Sequence, residues 1–286
     1  MKKQNILLIA LLVAASPFIA TAQKLPNVQE GSLRAPATIK VDGKPTEWNN
    51  QFQANNKATE IFYTLSNDND KLYLAVQATD LDIIEKIIEG GLTLTINGTG
   101  KMKDQEGVAI TYPVLDKYSF PETGPAIDID KPASWAADSF MVRLNKAFIA
   151  RAKDVRVTGV KEIPNHLLSI YNPEGIKVAA LFDNKTVLTY ELAVPLKYLG
   201  LSVNEPKSLV YNIKLNGMGY DGDFQSLMQG FRNQRKKTYR EILSSGTRPG
   251  LDESGSNLTF IGPMVPILIQ MISPTDFWGE YTLSKK

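Results

Sequence analysis

Two runs of alternating apolar and polar residues, doubled back across a short polar stretch, constrain this chain more than any other feature. In EIFYTLSNDNDKLYLAVQATD (Glu60 to Asp80), Ile61, Tyr63 and Leu65 fall on one side of a strand, and Leu72, Leu74, Val76 and Ala78 on one side of the next. Asn67 to Asp70 between them has the composition of a hairpin turn. The pattern recurs in GLTLTIN (Gly91 to Asn97) and GVAITYP (Gly107 to Pro113), where Leu92, Leu94 and Ile96 face away from Thr93, Thr95 and Asn97. Further strands are expected at Thr38 to Asp42, Asp154 to Val160, Ile176 to Phe182, Thr186 to Val194, Leu209 to Asn216 and Gly279 to Leu283. Short strands with turn signals between them predict an all-β fold, an antiparallel two-sheet β-sandwich of jelly-roll type, over a parallel α/β sheet.

Helical periodicity is confined to short stretches. Leu81, Ile84, Ile87 and Ile88 fit a helical turn over Asp82 to Glu89, and Pro195 to Leu199 fits another. One inserted helix is expected from Ser134 to about Ala152, with Ala137, Met141, Leu144 and Phe148 as its apolar stripe and Arg143, Lys146 and Arg151 on its wet side. Residues 38–284 then form one sandwich domain with insertions at about 114–153 and 220–257, after a leader over residues 23–37 that carries Pro26, Gly31 and Pro36.

The first residues read as an export signal. Lys2 and Lys3 precede an apolar run from Ile6 to Ala15, and Ala20-Thr21-Ala22 supplies small residues for cleavage before Gln23. The expected location is the periplasm or the medium, with no membrane span after cleavage. Cleavage after Ala22 takes two Lys and no acid from 32 basic and 30 acidic side chains, which leaves the mature chain formally neutral. A neutral chain offers no long-range attraction to nucleic acid. With no Cys, thiol catalysis, disulfides and thiolate metal sites are excluded.

The order VDGKPTEW, IFYTLSNDNDKLYLAVQATD, GLTLTINGTGK, TYELAVPLKYLGL, YNIKLNGMG and FWGEYTLS resembles the carbohydrate-binding module family nine superfamily, the DOMON-like exported bacterial β-sandwich proteins. The resemblance runs from about Ile39 to Leu283. It implies a two-sheet antiparallel sandwich related in shape to domains that bind sugars or haem. Founding members of that family hold the end of a sugar chain between two Trp side chains, and no pair of the three Trp here aligns with that clamp.

Candidate binding residues come from the side chains a plain sandwich does not need. Trp135, with Tyr118 and Phe120, lies in the first insertion, where an aromatic face could stack on a sugar or anchor the insertion. Trp48 and Trp278 read as core plugs at the sandwich end. Asp68 and Asp70, with Asn67, Asp80 and Asp82, offer oxygen ligands for Ca²⁺, and equally the turn chemistry of a hairpin; the Asp128 and Asp130 pair is similar. His166, the only His, reads as a surface-loop residue, since no nucleophile motif and no haem-attachment motif accompanies it. The basic run Arg232 to Arg240 reads as a solvated loop, and Pro263 to Ile272 as a buried strand. No catalytic motif is present. The sequence therefore predicts an exported non-catalytic protein that binds a carbohydrate or glycoconjugate. The alternative is an envelope scaffold that docks another protein, and a hydrolase comes third.

Overall fold

The computed structural model describes residues 24–49, 51–98, 107–115, 138–205, 208–217 and 273–285. Within them, β1 (Ala54–Asn56), β2 (Ile61–Asn67), β3 (Lys71–Ala78), β9 (Leu188–Pro195) and β8 (Lys177–Phe182) form a five-stranded sheet in the order β1-β2-β3-β9-β8. A six-stranded sheet runs β11-β10-β4-β5-β6-β7, from β11 (Thr275–Thr282) through β10 (Ser208–Leu215), β4 (Leu92–Asn97), β5 (Val108–Val114) and β6 (Asp154–Thr158) to β7 (Leu167–Ser169). All named pairings are antiparallel. The chain is a two-sheet β-sandwich, as the alternation predicts.

The apolar half of each alternating run fills the space between the sheets. Ile61, Tyr63, Leu65, Leu72, Leu74 and Val76 from one layer share a single core with Leu92, Leu94, Ile96, Tyr211, Ile213 and Leu215 from the other. Burial of each Leu, Ile or Val of this kind contributes about 1.5–3 kcal/mol. Two tyrosines cross the gap, with the Tyr63 and Tyr211 hydroxyls 2.8 Å apart. Gly279 on β11 makes room for the Tyr211 ring, since a Cβ there would stand 2.3 Å from its phenol atoms.

Helix α1 (Leu81–Gly90) is a full ten-residue helix, longer than the turn expected. The Asp80 side chain caps it by accepting from the Asp82 and Ile83 amides at 2.9 and 3.2 Å, while Ile83, Ile84 and Ile87 turn into the core. Lys86 on the same helix is buried, with its Nζ donating to Thr275 Oγ1 at 3.1 Å. The inserted helix α2 (Asp138–Arg151) buries Met141 and Phe148 and packs Leu144 against the core. Its Asn145 carboxamide clips the edge of β8, donating to the Phe182 carbonyl and accepting from the Phe182 amide, both at 2.8 Å.

Strand assignments differ from expectation at Thr38 to Asp42, β1, β7 and β11. Thr38 to Asp42 is not a strand: Pro36, Pro45 and Gly43 (φ 79°) break any ladder there, and the Asp42 and Gly43 amides go to a carboxylate instead. β11 begins at Thr275, four residues before the expected start, and β7 lies in a stretch expected to be loop. Three-residue strands such as β1 and β7 are too short to show a period.

Candidate functional site

The two sheets present very different outer faces. Outward positions of the five-stranded sheet are roofed by residues from 24–49 and 51–53. Trp48 and Phe52 pack on Ala75 with Phe62, Leu25, Leu33 and Ile39 around them, and Ala35, Ile39 and Val41 pack on Tyr73 and Ala193. Residues expected to form a leader are thus part of the packing. Gln29, nearly fully buried, pairs with the Leu65 backbone, donating to its carbonyl and accepting from its amide at 2.8 Å each, while its own amide donates to the Tyr63 hydroxyl. Trp48 is a plug, as expected, but on this outer face and not at the sandwich end.

Glu191 fastens the roof. It points outward from β9 between Ala75 and Ala179, is 3% exposed, and its Oε2 accepts from the Asp42 and Gly43 amides at 2.9 Å each. Burial raises its pKa to about 7, against the two amide bonds, which lower it; nearby Asp42 and Glu47 push the same way as burial. The VDG and YELAVP motifs are therefore two halves of one structural clasp.

The outer face of the six-stranded sheet is mostly polar, buried at its middle, where Val210, Asn212, Thr95 and Asn97 lie, and exposed along β11. Between core-facing residues, β11 turns Asp276, Trp278 and Glu280 outward, and the strand register sets Lys214, Asn212 and Val210 of β10 beside them. Next come Thr93, Thr95 and Asn97 of β4, then Thr111 and Ala109 of β5, and Arg156 and Thr158 of β6. Trp278 is half-buried, and Asp276, Glu280 and Arg156 are exposed. Trp278 is thus no core plug: it alternates with Phe277 and Tyr281, which are the residues that face inward. The period of two demands this once β11 starts at Thr275.

Hydrogen bonds hold this face in place. Asn212 donates to Asp276 Oδ2 at 2.7 Å and to the Phe277 carbonyl at 3.0 Å, so its amide hydrogens are used and only its oxygen can take a further partner. Thr93 Oγ1 lies 2.7 Å from Thr111 Oγ1, and Asn216 donates to Thr93 Oγ1 and to the Gly90 and Gly91 carbonyls. A partly exposed indole beside a carboxylate held by an amide, as Asp276 is by Asn212, is the chemistry that stacks on a pyranose and orients its hydroxyls.

Tyr118, Phe120 and Trp135 lie outside the described residues, as do Asp128, Asp130, the basic run and residues 263–272. Asp68 and Asp70 sit at the β2-β3 turn. Asp68 Oδ1 accepts from the Asp70 and Lys71 amides, both at 2.7 Å, and Oδ2 from the Tyr73 hydroxyl at 2.7 Å. These bonds and Arg34 hold its pKa below the ordinary carboxylate value although burial opposes them. Asn67 is committed to the chain terminus, with Oδ1 accepting from Tyr281 Oη and the Ser284 amide and Nδ2 donating to the Ser284 and Asp68 carbonyls. Among the described residues no group of three His, Cys, Asp or Glu side chains could hold a metal ion. His166 is exposed ahead of β7, its Nδ1 3.2 Å from the Val157 carbonyl oxygen. No helix among the described residues is long and apolar enough to cross a membrane.

Sequence reasoning passed over Asn212, Asp276, Thr93, Thr95 and Lys214. The signal was present in DFWGEY, where Asp276, Trp278 and Glu280 alternate with Phe277, Gly279 and Tyr281. No protein-family model matches the chain, and no curated protein matches it. The likeness to the family nine modules therefore rests on the order of its motifs.

Proposed function

We propose that this chain is an exported, non-catalytic binding protein that holds a carbohydrate, or the sugar part of a glycoconjugate, against the outer face of its six-stranded sheet. The observation that carries the reading is Trp278, half-buried on that face, beside Asn212 and between Asp276 and Glu280 on its own strand. An indole presents a flat apolar surface for the C–H side of a sugar ring, and the adjoining amide and carboxylate select its hydroxyls. Trp135, Tyr118 and Phe120 remain candidates for a second platform.

Binding is favoured over hydrolysis by spacing. Asp276 and Glu280 are four residues apart on one strand, about 13 Å along it. Glycosidases place their two carboxyl groups about 5–9.5 Å apart across the scissile bond. Export rests on the residues ahead of Gln23, and a mature N-terminus at Gln23 in protein recovered from the periplasm or medium is the expected result of sequencing it.

A glycan array and affinity electrophoresis on soluble polysaccharides test the ligand. Saturable binding by wild type, reduced at least tenfold in Trp278→Ala, is expected. Loss in Trp135→Ala alone would move the platform to the first insertion. Absence of saturable binding to any glycan would remove the reading altogether.

A further inference from the structure

The roof over the five-stranded sheet touches it through apolar contacts, which are indifferent to pH, and through Glu191 of β9, whose carboxyl is not. Glu191 Oε2 accepts from two consecutive amides, those of Asp42 and Gly43, so the chain is turned down onto the sheet at that point. The approach needs glycine. Gly43 is buried with φ 79°, and a Cβ there would stand 2.8 Å from the Leu181 side chain of β8. Backbone and carboxyl therefore meet at a position shaped for that contact.

Charges around Glu191 are unevenly placed. From the roof, Asp42 and Glu47 are half-buried and act on its carboxyl, whereas Lys40 and Lys44 beside them are exposed. On the same side of β9 stand Thr189 and Ala193. β3 sets Ala75 opposite with Tyr73 and Gln77 alongside, and the Tyr73 hydroxyl is bonded to Asp68. β8 sets Ala179 opposite, with Lys177 exposed two residues away. Three carboxyl groups are thus gathered where roof meets sheet, while the described cations nearby stand exposed. Burial and the two acids oppose a charge on Glu191, and the two amide bonds favour it.

We propose that Glu191 is a pH-sensitive latch: its neutral carboxyl holds residues 41–48 down on β9, and its ionised carboxylate lets that segment lift while the sandwich beneath stays folded. Lifting uncovers Ala75 under Trp48 and Ala193 under Val41. A lifted Glu191 meets water and titrates near its ordinary 4.5, whereas the seated group is pushed up to about 7. The seated form therefore holds the extra proton between those values, so lifting becomes easier as pH rises from 4.5 to 7 and no easier beyond. The apolar contacts of Trp48 and Phe52 keep the lifted form a minority at every pH, and the latch sets how small a minority. The inference does not depend on sugar binding.

The test is hydrogen exchange of the chain from Gln23 onward, followed amide by amide by NMR from pH 4.5 to 8.5 and corrected for the intrinsic pH dependence of exchange. At every pH the Asp42 and Gly43 amides should be less protected than those of Leu74 and Leu192 by about tenfold or more, and insensitive to low urea, the mark of a local opening. Their protection should fall on the order of 50-fold between pH 5 and 8 and level off above. In Glu191→Gln it should change by less than about threefold over the same range. Asp42→Asn with Glu47→Gln keeps the latch and removes the repulsion, so the fall should move to lower pH. Any of four results overturns the inference: roof amides that share the protection and urea dependence of the core, a flat profile in wild type, a wild-type profile in Glu191→Gln, or an unmoved fall in the double variant. The double variant retains Glu191, so the inference stays open to refutation even where Glu191→Gln fails to fold.

Discussion

The two outer faces of the sandwich start from the same alternating strands and end in opposite conditions. On the five-stranded sheet the outward positions mix apolar Phe62, Tyr73, Ala75 and Ala193 with polar Thr64, Ser66, Thr189 and Glu191, and residues 24–49 and 51–53 lie over them with Trp48 and Phe52 as anchors. On the six-stranded sheet the outward positions are mostly Thr, Asn, Lys, Asp and Glu; Thr95, Asn97, Asn212 and Val210 at its middle are buried, and the Trp toward the β11 edge is half-exposed. Apolar outward side chains reward cover by a second layer of chain, and a polar one under such cover needs a bonding partner, as Glu191 has in the Asp42 and Gly43 amides. The contrast shows that a tryptophan's role here is decided by its strand neighbours and not by its own size.

The sharpest test of that contrast is Trp48→Ala against Trp278→Ala. Loss of the buried indole should destabilise by about 3–5 kcal/mol, read from urea midpoints. A drop below about 1 kcal/mol for Trp48 would mean the roof is dispensable.

Next in size is the clasp. Glu191 has a folded pKa near 7, above its ordinary 4.5, so the folded state holds the extra proton between those values. Its contribution to stability is therefore full below about pH 4.5 and is lost as pH rises through about 7. Glu191→Gln keeps a carbonyl for the Asp42 and Gly43 amides without the charge. The variant should match wild type at pH 4.5 and exceed it by up to about 3 kcal/mol at pH 8, measured by denaturant titration at both. Identical pH profiles would show that the carboxyl is not desolvated.

Asn67→Ala should remove the three bonds that join the β2 end to Tyr281 and Ser284, and one to the Asp68 carbonyl, at about 2 kcal/mol, because the abandoned backbone groups lose their partners. Hydrogen exchange should then speed up in β11 more than in β3. Equal acceleration in both strands would deny the seam a local role. Smallest is Trp278→Ala, expected to shift stability by about 1 kcal/mol or less, as for a half-exposed side chain, while sugar affinity collapses. A large stability loss there would turn the open face into another packed one.

Much of this architecture was readable in the chain. Ile61, Tyr63, Leu65, Leu72, Leu74 and Val76 were assigned to one buried side by period alone, and all are buried. That works because burial repeats every two residues along a strand. The roof was not readable: Thr38 to Asp42 looks extended by composition, yet its amides go to Glu191, some 150 residues away. Nor was the open face, since it is assembled by register across β11, β10, β4 and β5, and register is a long-range property. Trp278 reads as a core plug only if its strand begins at Gly279; with β11 beginning at Thr275 it faces outward with Asp276.

The seam at the chain's extremities has one more implication. Ser32 donates to the Thr282 carbonyl, Tyr281 Oη to the Leu33 carbonyl, and Arg34 to the Ser284 carbonyl, each across about 250 positions. Segments some 250 positions apart are thus buckled together, so the sandwich has no means of closing before both are present. Such distant closure makes assembly slow.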